Sequence, residues 1–277
     1  MSDLKVPQEP LRVVPTAVAT RPWRALGGKG SLHLVERHAR VYRHLWLMLV
    51  SGIGEPLFYL LSIGIGLGHL VPTVGGVSYL VFLAPGLLAA TAMTTAVGES
   101  TYPVLASVKW VKTYQAATAS PLRPADIFHG HMLFVALRLT MNCAIFLAVA
   151  AALGAVQSVW AIAALPVAVL TGMAFTAPIE AWAITRNRDT SFAVIFRFGM
   201  IPLFLFSGTF FPITQLPAWL RPIAYATPLW HGVALCRALT LGTATLGGAL
   251  IHVGYLAGLT AIGVVAGNRS YRRRLYV

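Results

Sequence analysis

The sequence predicts an all-α integral membrane protein with six transmembrane helices, and three observations support this fold class. Hydrophobic residues make up 57% of the 277-residue chain and charged residues only 10%, which is too few charges to cover a water-soluble protein of this size. Apolar runs of about 20 residues, the length that crosses a bilayer, recur along the chain. Most of the 21 Lys and Arg residues lie in short stretches between these runs, and loops that retain Lys and Arg stay in the cytoplasm.

The apolar runs predict the positions of the spans along the chain, which are listed here in order: 45–70, 79–99, 127–152, 158–185, 190–208 and 244–267. The connections 71–78 and 153–157 carry no charge and are expected outside. The basic tail at 268–277 is expected inside, so both termini are predicted to be cytoplasmic.

Two segments precede the first span. Residues 1–30 combine prolines and a glycine cluster with no sustained periodicity, which predicts a flexible cytoplasmic tail. Residues 31–44 place apolar and cationic side chains on different helical faces. This pattern predicts an amphipathic helix that lies at the cytoplasmic membrane surface.

A cytoplasmic helix is predicted at about residues 103–117, between the second and third spans. Pro103 can begin this helix, and the prolines that follow Ser120 end it. Lys109 and Lys112 are expected about one turn apart beside Trp110. The helix is therefore predicted to bind a partner.

The segment 209–241, between the fifth and sixth spans, is long for an external loop and rich in Phe, Trp, Leu and Pro. In water such a segment would form an aggregation-prone patch. It is therefore predicted to re-enter the outer leaflet as broken helices that pack on the bundle.

Four charged residues fall within predicted spans, where an unpaired charge is unfavourable by at least ~2.5 kcal/mol. Their depths predict that Glu55 pairs with Arg138 and that Glu180 pairs with Arg197. Two interpretations remain open for these four residues. They form structural ion pairs that fix helix packing, or they line a polar cavity that contacts substrate.

Several other patterns receive simpler interpretations. Asp126, His129 and His131 do not all lie on one face of a helix. This arrangement favours a cluster at the membrane boundary over a metal site. The glycines of the first and last spans predict close helix packing, and they are Gly64, Gly66, Gly68, Gly254, Gly258, Gly263 and Gly267. The net charge of +13 is scattered over loops, which argues against a nucleic-acid partner.

Two segments carry a family resemblance. The segment FSGTFFPITQLPAWLRPIAYATPLWHGVALCRAL combines prolines, glycines and aromatic residues at fixed spacing, and TASPLRPADIFHG covers residues 118–130 where the chain enters the third span. Both are similar to segments of type-2 ABC-transporter permeases, in the branch of the nodulation-factor export and daunorubicin-resistance permeases.

This resemblance implies the type-2 ABC exporter fold and a permease subunit that moves an amphipathic substrate outward across the cytoplasmic membrane of a prokaryote. The substrate would be a lipid, a glycolipid or a hydrophobic drug. The chain has no GxxxxGK[ST] phosphate-binding loop, so it is expected to be no enzyme and to hold no cofactor. Two copies of a separate nucleotide-binding ATPase subunit would bind ATP and Mg, and a second permease copy or a paralogue would complete the complex in contact with membrane lipids.

The resemblance also assigns roles to particular residues. The residues expected to couple the permease to the ATPase are Lys109, Trp110, Lys112, Tyr114, Arg186 and Arg188. The residues expected to form the re-entrant segment are Phe206, Gly208, Phe210, Phe211, Pro212, Leu216, Pro217, Trp219 and Pro228. Two alternatives remain, which are an integral-membrane transferase acting on lipid-linked substrates and an ion-coupled secondary carrier.

Overall fold

The structure is a computed structural model, and it describes Gly54, residues 56–118 and residues 122–276. The tail predicted at 1–30, the interfacial helix predicted at 31–44, Glu55 and the first part of the first span lie outside the described residues. The described chain is helical apart from loops and a small hairpin of two-residue strands, β1 (Thr73–Val74) and β2 (Val77–Ser78), in the connection predicted as an external loop.

The helices follow one another along the chain with short connections. The longer ones are α1 (Pro56–His69), α2 (Tyr79–Ser100), α5 (Pro124–Ala152), α6 (Ala161–Ala183), α7 (Thr190–Phe206), α9 (Pro228–Leu241) and α10 (Leu246–Leu275). The shorter ones are α3 (Tyr102–Leu105), which continues through a π-helical turn (Ala106–Trp110), α4 (Thr113–Thr118) and α8 (Arg221–Tyr225).

Within the described residues, four helical stretches are long and apolar enough to cross a membrane, and they are Tyr79–Trp110, Pro124–Ala152, Ala161–Ala183 and Leu246–Leu275. They lie at the positions predicted for the second, third, fourth and sixth spans. Helices α1 and α7 lie where the first and fifth spans were predicted, and they are apolar but shorter. The number of crossings therefore stays a prediction, whereas the multi-pass helical architecture is confirmed.

The cytoplasmic helix predicted at 103–117 is not continuous. Helix α2 ends at Ser100, the next residue leaves the helical conformation, and the chain then turns helically from Tyr102 to Trp110. Lys112 adopts a left-handed conformation with a φ of 54°, which a residue with a Cβ seldom adopts. This residue separates α3 from α4, so Lys109 and Lys112 do not share one helix.

Helix α6 is central to the bundle, because it packs against α2, α5, α9 and α10. The core between these helices contains fully buried apolar side chains such as Leu87, Leu139 and Leu229. Helix α10 instead exposes a long apolar stripe that includes Leu250 and Ile262. In an integral membrane protein, lipid covers such a stripe.

Small residues allow α10 to approach α5 and α6 closely, as the glycine pattern predicted for part of its length. A Cβ on Gly263 would lie 2.6 Å from Pro178 Cδ, and one on Gly267 would lie 2.3 Å from Phe128 Cζ. Gly254 and Gly258 face open space. Only in the C-terminal half of α10 do these glycines allow close contact with neighbouring helices.

We expect Gly263→Ala to destabilise the purified protein, because Pro178 is rigid and the new methyl group must push α10 away from α6. Overpacking of this kind costs about 1–3 kcal/mol. Gly258→Ala is the matched control on the same helix, and it should leave the unfolding midpoint in detergent unchanged or raise it slightly. Equal shifts of the midpoint in both variants would contradict this packing.

Candidate functional site

The broken segment between α2 and α5 meets two other parts of the chain at one end of the bundle. Lys109 Nζ donates a hydrogen bond to the backbone oxygen of Asn187 at 2.9 Å. Arg274, near the end of α10, contacts Asn187 Oδ1. The loop around Arg186 to Asp189 therefore lies against the helical segment that begins with α3, and α10 joins the same junction.

This junction exposes a continuous set of cationic and apolar side chains, which we call the docking surface. It consists of Lys109, Trp110, Val111, Lys112 and Arg188. Trp110 is 55% exposed and Val111 is 66% exposed. Large apolar side chains held open to solvent beside cations are typical of a surface that binds another protein.

Two of the residues predicted to couple the permease to the ATPase do not lie on the docking surface. Tyr114 is only 1% exposed, so it cannot contact a partner directly, and the prediction for this residue is wrong in that respect. Its ring instead packs on Tyr271 with a centroid separation of 5.9 Å. Arg186 is half-buried and stacks over the Trp182 ring at 5.0 Å.

Tyr114 leads from the docking surface to a buried polar cluster, which consists of Glu180, His131 and Tyr271. Tyr271 Oη donates to Glu180 Oε1 at 2.6 Å, and His131 Nδ1 lies 3.1 Å from the same oxygen. Glu180 and Tyr271 are fully buried and His131 is nearly so. The polar cluster therefore joins α5, α6 and α10 at one carboxylate.

The predicted pairing of Glu180 with Arg197 is wrong. Glu180 contacts the polar cluster, whereas Arg197 is exposed on α7. Equal depth on neighbouring helices does not determine which helical face a side chain occupies. Because α6 turns Glu180 toward α5 and α10, the nearer donors are a histidine and a tyrosine.

Arg138 forms an ion pair with Glu99, which sequence reasoning missed. Arg138 Nη1 lies 2.5 Å from Glu99 Oε1, and both side chains are about one tenth exposed, at 10% and 11%. Glu99 escaped notice because the second span was predicted to end there. Helical turns resume after Thr101 and continue to Trp110, and Glu99 is buried before this break. Glu55, the predicted partner of Arg138, lies outside the described residues.

At the opposite end of α2, the segment after α7 folds as short helical pieces rather than as one helix. A 3₁₀ turn (Ile213–Gln215), α8 and α9 follow one another, and α9 packs on α2 and α6. Broken helices packed on the bundle were predicted here. The depth of this segment in the bilayer stays a prediction.

Arg237 anchors this segment to α2. Its guanidinium donates to the backbone oxygen of Phe82 at 3.1 and 3.2 Å and to that of Gly208 at 2.9 Å. Gly208 has a φ of 82°, which glycine adopts without strain. The backbone of Thr209 packs closely on α2 at Gly86, where a Cβ would lie 2.9 Å from it.

Two apolar cavities lie beside this anchored segment. The larger, of about 670 Å³, is bounded by α1, the hairpin and the residues from Phe210 to Gln215. The second, of about 580 Å³, lies between α1, α2 and α7. Ile63 and Phe210 line both cavities, so the side chain of Phe210 stands between them.

The residues predicted for the re-entrant segment have different surroundings, and among them Gly208 is buried and Pro217 is exposed. Phe210, Phe211 and Pro212 line the larger cavity. Leu216 is buried in a small cluster with Ile213 and Ala224, and Pro228 begins α9. Phe206 and Trp219 are exposed, at 39% and 72%.

Comparison with known proteins agrees with this architecture. Residues 32–241 match the family described as ABC-2 type transporter. The chain is 36% identical to Nodulation protein J of Rhizobium leguminosarum bv. trifolii over 82% of the chain and 86% of that protein. It is 31% identical to Nodulation protein J of Rhizobium leguminosarum bv. viciae over 93% of the chain and 98% of that protein. Nodulation protein J of Rhizobium meliloti is also 31% identical, over 82% of the chain and 86% of that protein. The chain therefore belongs to the ABC-2 type transporter family, as a multi-pass membrane component of a transporter.

Proposed function

We propose that this chain is the membrane-spanning permease subunit of an ATP-driven exporter, and that a separate ATPase subunit binds its docking surface. The single observation that carries the proposal is the convergence of α3, the loop near Asn187 and the end of α10 beneath exposed Trp110. Motion imposed on this junction reaches three helices at once, because each of its parts continues into the bundle.

The route from the docking surface into the bundle passes through Tyr114. Its ring packs on Tyr271, and Tyr271 is bonded to Glu180 beside His131. Buried polar contacts resist sliding, because a displaced carboxylate loses its donors without gaining water. The polar cluster is therefore suited to making α5, α6 and α10 move with the ATPase-facing segment.

The proposed substrate is amphipathic, and the proposed direction is outward from the cytoplasm. The two apolar cavities support an apolar substrate moiety, since ligand sites are commonly concave, lined by apolar and aromatic side chains and about 300–1,000 Å³ in volume. The relatives named Nodulation protein J favour a substrate of the lipid-bearing oligosaccharide class. Positive charge at the end of α10 favours a cytoplasmic location for the docking surface.

A transferase acting on lipid-linked substrates would need carboxylates gathered around a metal ion. Three of the four acidic side chains in the described residues have separate partners, and the fourth, Asp189, lies in an exposed loop. Glu99 pairs with Arg138, Glu180 contacts Tyr271, and Asp126 accepts a hydrogen bond from the backbone nitrogen of Arg123. These contacts favour the transport proposal over the enzyme.

We expect Trp110→Ala to reduce copurification of the ATPase subunit with the tagged chain in mild detergent by about tenfold or more. The reason is that a central tryptophan typically contributes at least ~2 kcal/mol to a protein interface. The measurement is mass spectrometry of the eluate together with its ATP hydrolysis rate. Adding Lys109→Ala and Lys112→Ala should reduce the copurification of the ATPase further.

Trp219→Ala is the matched control, because Trp219 is also an exposed tryptophan, at 72%, but lies in the segment anchored to the other end of α2. This variant should retain the ATPase. A wild-type chain that elutes without any ATPase after crosslinking would contradict the proposal. Equal retention of the ATPase by both tryptophan variants would contradict the placement of the docking surface.

We expect Phe210→Ala to raise the amphiphile concentration that half-maximally stimulates ATP hydrolysis by the reconstituted complex. Burial of an aromatic side chain against an apolar ligand contributes roughly 1.5–3 kcal/mol, which corresponds to a shift of about tenfold or more. Phe198→Ala is the matched control, since Phe198 is 78% exposed on α7 and lines neither cavity. Stimulation by a small hydrophilic solute, with no response to amphiphiles, would contradict the proposed substrate class.

A further inference from the structure

The last two turns of α10 carry a cationic groove that the proposed transport cycle does not use. Arg269, Arg272, Arg273 and Tyr276 line a groove of about 360 Å³, and all four side chains are exposed. Arg274 is turned away from this group and contacts Asn187 instead. The arginines that line the groove are therefore different from Arg274, which contacts the loop beside the docking surface.

The groove lies on the face of α10 opposite the bundle. At 100° per residue, its four side chains fall within an arc of about 100°, whereas the buried residues Gly267 and Tyr271 fall on the other side of the helix. Burial of that opposite side fixes the rotation of α10. The arginines consequently face away from α5 and α6.

The same face is apolar one and two turns earlier. Ile262 is 68% exposed and Val265 is 50% exposed, and both project in the direction of Arg269. In an integral membrane protein, these two side chains contact acyl chains. The groove therefore begins where the acyl chains of the bilayer give way to the headgroups.

The charge of the groove has no counterpart in the described chain. No described carboxylate lies within ion-pair distance of Arg269, Arg272 or Arg273. Residues 1–53 hold eight Lys and Arg residues against three acidic residues, so this segment carries net positive charge. A ligand that neutralises the three arginines of the groove carries negative charge.

We propose that this groove binds the headgroup of an anionic phospholipid whose acyl chains lie along Ile262 and Val265. Arginine guanidinium groups match phosphate oxygens with paired hydrogen bonds, and tyrosine is favoured at the level of the headgroups. The proposal requires an integral membrane protein and does not depend on the identity of the exported substrate.

The test is native mass spectrometry of the purified chain in neutral detergent, titrated with phosphatidylglycerol and, separately, phosphatidylcholine. The wild-type chain should bind phosphatidylglycerol more tightly. The combined variant Arg269→Gln, Arg272→Gln and Arg273→Gln should bind it on the order of 100-fold more weakly, because each cation near a membrane surface contributes about fivefold. Raising the salt concentration should weaken the wild-type interaction.

Two further variants separate loss of the site from loss of the fold. Replacing the same three arginines by lysine keeps the charge and should retain most of the preference for phosphatidylglycerol. The combined variant Lys112→Gln, Arg186→Gln and Arg188→Gln removes the same number of charges near the same end of the bundle. This second variant should retain phosphatidylglycerol as the wild-type chain does.

Three results would overturn the proposal. One is equal binding of both lipids by the wild-type chain. The second is displacement of phosphatidylglycerol by inorganic phosphate at matching concentration, which would indicate an anion site without lipid. The third is copurification of an acidic protein that the arginine-to-glutamine variant loses, without discrimination between the lipids, which would assign the groove to a protein partner.

Discussion

A buried carboxylate must find donors within the protein, and in this chain that requirement holds the docking end of the bundle together. Glu180 is fully buried on α6, and its Oε1 atom is contacted by Tyr271 from α10 and His131 from α5. Its Oε2 atom has no hydrogen-bond partner among the described residues. The few donors on Oε1 therefore carry the stabilisation of this charge, and losing one would be costly. Three helices and, through Tyr114, the segment beneath the docking surface depend on this arrangement.

The two ends of α2 consequently differ in chemistry. Near Trp110 the surface is cationic and is supported by a polar cluster. Near Tyr79 the surroundings are apolar and border the larger cavity, and the second cavity extends along α2 to Thr94. At the apolar end, Arg237 stabilises the structure, because its guanidinium donates hydrogen bonds to Gly208 and to the backbone of α2. A helix anchored by polar contacts at both ends is well suited to transmitting movement along its length. This division supports the proposal that ATPase docking and amphiphile binding occur at opposite ends of the bundle.

The sequence was sufficient to predict the helical membrane class, the positions of four long spans and the family. Each of these depends on patterns that extend over many residues or on motifs with fixed spacing. Individual contacts were harder to predict because they depend on helix rotation and exact helix ends. Glu99 was missed because the apolar run ends there, although helical turns resume after Thr101. Glu180 was assigned to Arg197 because depth alone does not define a helical face. Tyr114 was expected at the partner surface, but its ring fits between α4 and α10, and no pattern in a six-residue helix predicts that burial.

The most direct test of this account is hydrogen–deuterium exchange of residues 113–118 in the purified wild-type chain and in Tyr271→Phe. We expect faster exchange in the variant, by roughly 5- to 150-fold, because leaving a buried acceptor without its donor costs about 1–3 kcal/mol and loosens the segment that packs on it. Tyr276→Phe is the control on the same helix, since Tyr276 is 67% exposed, and it should exchange as the wild type does. Unchanged exchange in Tyr271→Phe, in a protein that remains folded, would contradict the claim that the polar cluster holds the docking end to the bundle.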